Sequence, residues 1–133
     1  MFLADSSVWI DFFNGAETPK AAFLASRIES GEVIVGDLIL AEVLQGIASD
    51  RQFGRVRRLM AALGQIDIAG PEVAVQAARN FRHLRAKGVT VRKTIDTLIA
   101  TRCIVDGLPL LWSDRDFEPF REHLGLADAM AAG

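Results

Sequence analysis

The chain has 133 residues, half of them hydrophobic, and a formal net charge of −2; this is the size of one ordinary domain, apolar enough to bury its own core and too apolar for a disordered chain. A single cysteine, Cys103, excludes an internal disulfide and a cysteine-built zinc site, and two histidines, His83 and His123, argue against imidazole-rich metal sites, which leaves carboxylates as the available ligands. The slightly acidic balance excludes coating of nucleic acid through overall charge, so contact with a polyanion must rest on local basic patches.

In chain order, residues 1–4 form a short apolar run that ends at Asp5 and reads as a buried strand. No basic region precedes that carboxylate, and no apolar run approaches the ~18 residues of a membrane span; a cytoplasmic protein without membrane contact is expected. Ser6 and Ser7 are suited to cap a helix through Phe13 that stops near Asn14-Gly15. Thr18-Pro19 opens a second helix, with Ala22, Phe23, Ile28 and Leu24 as inward positions and Gly31 as its end. Val33-Ile34-Val35 is a second buried strand. Asp37 then caps a helix whose stripe is Ile39, Leu40, Val43, Leu44 and Ile47, and residues 50–63 form another. Ile66-Asp67-Ile68 alternates like a strand, Pro71 opens a helix to about Lys87, and Thr94 caps a helix that ends at Asp106-Gly107. Leu110-Leu111-Trp112 is the last strand, followed by Asp114 and a short helix. Residues 127–133 are small, lack an apolar period and are expected to be loose. Strands separated by helices indicate one domain, residues 1–126, with an α/β sandwich and a mostly parallel sheet.

Seventeen acidic residues are present, so position is what informs. Asp5 ends the first strand and Asp114 lies just past the last one. In open parallel sheets ligands bind beyond the carboxyl ends of the strands, so both acids can project into one crevice. Glu42 lies at the edge of its helix's apolar stripe, and Asp96 lies in the first turn of a helix among the core-type residues Ile95, Leu98 and Ile99. Each acid has an ordinary reading as a turn residue, cap, dipole partner or surface group. Together, carboxylates without counter-charge repel one another unless a cation lies among them. All-oxygen ligation suits Mg²⁺ or Mn²⁺, which can activate water and stabilise a leaving oxygen in phosphodiester hydrolysis.

At this point four segments resemble a known family. Asp5-Ser6-Ser7-Val8-Trp9-Ile10, Leu40-Ala41-Glu42-Val43-Leu44-Gln45-Gly46, Asp96-Thr97-Leu98-Ile99-Ala100 and Leu110-Leu111-Trp112-Ser113-Asp114-Arg115-Asp116-Phe117 stand in the order and spacing of the four acidic motifs of PIN-domain ribonucleases, specifically VapC-type toxins of bacterial toxin–antitoxin pairs. The resemblance spans Met1 to about Gly125. It implies a PIN-like α/β/α sandwich whose short-stranded sheet is surrounded by helices. It implies a metal-binding quartet of Asp5, Glu42, Asp96 and Asp114, Asp116 as a supplementary acid, and Ser7 as a hydroxyl that hydrogen-bonds within the acidic pocket. One position departs: the family often has Thr or Ser two residues before the acid matching Asp114, and here Trp112 stands there.

Arg92, Lys93 and Arg115 flank the acids along the chain and are candidates for phosphate contact, because cations there offset repulsion between an acidic pocket and a polyanion. Two further groups, Arg51/Arg55/Arg58 and Arg79/Arg82/Arg85, read first as solvated helix faces. The apolar excess around Trp9, Phe12, Phe13 and Phe53 is compatible with a partner groove or a dimer face. The resemblance implies both a homodimer and a VapB-like antitoxin that blocks the site, with tRNA or another structured RNA as substrate and translation as the process stopped. The alternative is a catalytically silent PIN-like binding module. A receiver domain or an aspartyl phosphatase is disfavoured, because Ser6 and Ser7 stand where those sites place a second acid.

Overall fold

The computed structural model describes residues 1–131. Its apolar opening run is strand β1 (Phe2–Ala4), buried on both faces, as a parallel strand between helical layers must be. Helices α1 (Ser6–Phe13) and α2 (Pro19–Glu29) lead to β2 (Val33–Gly36), and α3 (Asp37–Gln45) and α4 (Asp50–Ala61) lead to β3 (Gly64–Ile66). A longer pair, α5 (Pro71–Ala86) and α6 (Thr94–Asp106), precedes β4 (Leu110–Leu111). A 3₁₀ turn (Arg115–Phe117) and α7 (Glu118–Leu124) follow. Gly107 ends α6 in the left-handed region at φ 66°, which a side chain would disfavour.

All strand pairings are parallel, in the order β3-β2-β1-β4. The chain steps outward from β1 to β2 to β3, then returns through α5 and α6 to the other side of β1. That reversal opens a crevice at the carboxyl ends of β1 and β4, where ligands of such sheets sit. The backbone N–H of Asp5 donates to the carbonyl of Leu111 at 2.8 Å, so the pairing runs up to the acid itself. Beneath it Leu3, Trp9, Ile39, Ile99, Leu111 and Phe117 are fully buried.

Several local expectations shift. The cap of α1 is Asp5, whose carboxylate accepts from the Ser7 N–H, and neither serine takes that role. Gly36 occupies the cap position of α3. The Asp37 carboxylate instead accepts from the N–H groups of Leu38 and Ile68, both at 2.8 Å. This capture draws Ile68 off the sheet, so β3 ends two residues earlier than the alternation suggests. The Ile68 side chain then covers Gly36 so closely that a β-carbon there would lie 2.7 Å from Ile68 Cγ1. In α2 the buried alanine is Ala21 rather than Ala22. Lys93, not Thr94, precedes α6, and no side chain caps that helix.

The stretch from Ala127, expected to be loose, is tied down through Ala129. Leu110 donates to the carbonyl of Ala127 at 2.9 Å, Ala129 donates to that of Leu110 at 3.0 Å, and Leu126 and Ala129 are buried. The small side chains give no periodic signal, but the outer edge of a two-residue strand needs backbone partners and finds them here. Residues 132 and 133 lie outside the described residues. Among the described residues no helix is long and apolar enough to cross a membrane.

Candidate metal centre

Three of the four elements that meet at the crevice bring their acids by backbone position alone. Asp5 leaves β1, Asp114 precedes the 3₁₀ turn that follows β4, and Asp96 sits in the first turn of α6, where the helix dipole favours a negative charge. Glu42 enters from the inner edge of α3.

The tightest group is Asp96, Asp114 and Asp116, each offering a carboxylate oxygen within 4.8 Å of the others. Asp116, expected as a supplementary acid, is therefore central to the geometry. Its backbone N–H donates to Asp114 Oδ1 at 2.9 Å, which fixes the two acids relative to each other. Asp5 and Glu42 are not of that trio. The Asp5 Oδ2 is held by Ser7, whose hydroxyl donates at 2.8 Å and whose N–H donates at 3.3 Å. The hydrogen bond that the resemblance implies for Ser7 is thus present, as part of the start of α1.

Electrostatics joins Asp5 and Glu42 to the trio. Burial pushes the Asp96 carboxyl up to about 7; the charge of Asp5 adds to the rise, with smaller contributions from Glu42 and Asp114, while Lys93 opposes it. Burial also raises Glu42, helped by the charge of Asp5 and opposed by the Ser6 side chain and Lys93. Asp5 is raised by burial first, against the hydrogen bonds from Ser7 and the Ser6 backbone. Asp5 and Asp96 are each 4 % exposed, and the cationic charge that bears on Asp96 and Glu42 is that of Lys93. Two carboxylate oxygens, Asp96 Oδ2 and Glu42 Oε1, are buried with no hydrogen-bond partner among the described residues. Buried polar atoms are nearly always paired, so these two call for a ligand. An all-carboxylate set with orphaned oxygens and mutually raised pKa values fits a hard divalent cation and fits no anionic group.

Of the phosphate candidates, Lys93 bears on two of the acids. Arg92 and Arg115 are exposed, and neither forms an ion pair among the described residues. The arginines of α4 and of the second half of α5 are exposed too, in keeping with solvated faces. The aromatic excess is largely core: Trp9 is fully buried, stacks on Phe13 at 5.7 Å and meets Phe12 edge-on at 6.0 Å. Beside it a groove of about 230 Å³ runs between α1 and the α3–α4 corner, lined by Ile10, Phe13, Val43 and Ile47. Sequence reasoning missed Ser6, which relieves Glu42, and Lys20, whose ammonium donates to the carbonyl of Trp112. No local signal marks a lysine 92 positions from its acceptor.

The family model of the PIN domain matches residues 2–122. VapC ribonuclease Mb1587 of Mycobacterium bovis and ribonuclease VapC11 of Mycobacterium tuberculosis are each 28% identical over 120 residues, covering 89% of this chain and 90% of theirs. Among solved structures, a toxin–antitoxin complex from Klebsiella pneumoniae superposes with a TM-score of 0.69 at 19% identity, over 96% of both chains. VapBC2 from Rickettsia felis, bound to a DNA fragment from its promoter, gives 0.71 at 17% identity over 95% of both. These structures share the short parallel sheet and its surrounding helices. With the match running over nearly its whole length, the chain belongs to the PIN domain family.

Proposed function

We propose that this protein is a metal-dependent endoribonuclease, the toxin of a type II toxin–antitoxin pair that stops translation by cutting tRNA or another structured RNA. The observation that carries the proposal is the orphaned, buried Oδ2 of Asp96 inside a trio of carboxylates within 4.8 Å. A binding module has no use for such crowded, destabilising charge. The relatives named as VapC ribonucleases support the same chemistry.

In this reading Asp5, Glu42, Asp96 and Asp114 hold Mg²⁺ or Mn²⁺, and Asp116 acts either as a direct ligand or through water. When bound, such an ion lowers the pKa of water and stabilises the leaving oxygen of an in-line displacement at phosphorus. Ser7 keeps Asp5 oriented by donating to its Oδ2 and opposes the rise that burial imposes on that carboxyl. Lys93 offsets the pocket's charge at the rim and, with Arg92 and Arg115, binds flanking phosphates. The apolar groove beside α1 takes a segment of a VapB-like antitoxin, whose removal exposes the site. A homodimer in the cytoplasm completes the proposal.

Purified protein freed of any partner should cleave a tRNA with Mn²⁺ or Mg²⁺ and stop in EDTA, and Asp5→Ala should be inactive. Cleavage that persists in EDTA or in that variant overturns the assignment. Mn²⁺ at 100 times its Kd should stabilise the folded protein by about 2.7 kcal/mol, because only the folded chain assembles the ligands. A thermal melt with and without the ion reads this directly.

A further inference from the structure

We infer that Lys20, Trp112 and Glu118 form a bracket that positions the Asp114–Asp116 loop for metal binding. The inference rests on the proposed cation site and adds to it residues outside the acidic set.

Asp114 and Asp116 supply two of the three converging carboxylates, yet Asp114 ends the short turn that follows a two-residue strand and Asp116 sits within the one-turn 3₁₀ helix that comes next. Such a turn has little intrinsic rigidity, and ligand carboxylates need a fixed direction to be useful to a metal. The family's usual small hydroxyl two residues before Asp114 is missing, since Trp112 occupies that place. Trp112 is 3 % exposed and is fastened at both its main chain and its side chain. Its carbonyl oxygen accepts from the Lys20 ammonium, which reaches across from α2. Its indole Nε1–H donates to Glu118 Oε1 at 3.2 Å. Glu118 is itself held by Arg121, whose Nε donates to Oε2 at 2.9 Å.

The Trp112–Glu118 bond therefore joins the two ends of the segment that contains both acids. The Trp112 ring packs near Phe117 with centroids 6.3 Å apart. Inside the closed segment the Asp116 N–H to Asp114 Oδ1 bond sets the relative orientation of the two carboxylates. Lys20 and Glu118 belong to no acidic motif, and neither is one of the converging acids. They are positioning residues that act through the loop. Because both hydrogen bonds of the bracket involve a charged partner, each is stronger than a neutral one and worth holding in place at the protein's edge.

The test measures Mn²⁺ affinity by calorimetry on the whole chain, beside the melting temperature in EDTA. Glu118→Ala and Lys20→Met should each weaken Mn²⁺ binding about tenfold, the lower end of what outer hydrogen-bond partners of metal ligands contribute. Both side chains are partly exposed, so the EDTA melting temperature should move little. Trp112→Phe, which keeps a ring and loses the N–H, should show the same direction. Glu118→Gln keeps an acceptor for the indole, and Lys20→Arg keeps a donor for the carbonyl, so both should restore near wild-type affinity. Equal affinity in wild type, Glu118→Ala and Lys20→Met overturns the bracket while leaving the metal site standing. Wild-type protein that takes up no Mn²⁺ overturns the metal site and the bracket with it.

Discussion

Along the second half of α6 Thr101 Oγ1 accepts from Asn80 Nδ2 at 3.0 Å, Asn80 Oδ1 accepts from Gln76 at 3.0 Å, and Arg102 donates to the carbonyls of Ile68 and Ala69. One to two turns earlier on the same helix, Asp96 and Thr97 are as deeply buried, yet Asp96 Oδ2 and Thr97 Oγ1 have no partner. The polar groups of the second half fasten α5 to α6 and are satisfied by the protein itself. In the first half Asp96 converges with Asp114 and Asp116 and is surrounded by like charge. A buried polar group that is paired contributes to the fold, whereas one left unpaired beside other carboxylates costs stability until a ligand arrives.

The sharpest way to break this contrast is Asp96→Asn. RNA cleavage should fall by more than about a hundredfold, because the ion's stabilisation of charge in the transition state is worth several kcal/mol. In EDTA at pH 8 the same variant should melt about 3–5 °C higher, as removing a repelled charge worth about 1 kcal/mol does in a domain of this size. Loss of both activity and stability would place Asp96 with the structural polar groups. The converse substitution is Asn80→Ala, which orphans the Thr101 hydroxyl. Urea unfolding should register a loss of about 1–3 kcal/mol, with Mn²⁺ affinity unchanged. If metal affinity falls as well, the two halves of α6 are not independent.

A smaller effect sharpens the contrast through pH. The folded Asp96 carboxyl titrates at about 7 against a reference of 3.8, so between those values the folded chain holds a proton that the unfolded chain has released. Stability of the metal-free protein should then fall as pH rises from about 4 to 7 and level off above that, the reverse of a salt-bridged carboxylate. Asp5 and Glu42, both raised by burial, add in the same direction. Denaturant midpoints at pH 5 and pH 8 in EDTA measure the slope, and Asp96→Asn should remove much of it. A midpoint that rises with pH would mean the cluster is neutralised by the protein's own cations.

The arrangement of helices and strands was largely legible because apolar runs and helical stripes report burial directly. Asp5, Glu42, Asp96 and Asp114 stood out by their places at strand ends and on inner helix edges. Other details could not be read in the same way. The end of β3 depends on Asp37 capturing the N–H of Ile68, a contact between residues 31 apart. The placement of Ala127–Ala129 depends on the open edge of β4, which no side-chain pattern announces. The rise of Asp116 to the tightest trio depends on the curl of the turn after Asp114.

What the amino-acid order determined by itself is the α/β fold class with its mostly parallel sheet and the segments that carry the acidic residues, since these follow from residue type and local periodicity. What only the tertiary structure decided is which oxygens converge, which remain without a partner, and how Lys20 and Glu118 come to hold Trp112. Those outcomes are set by through-space distances between residues far apart in the chain, and neither spacing nor propensity encodes them.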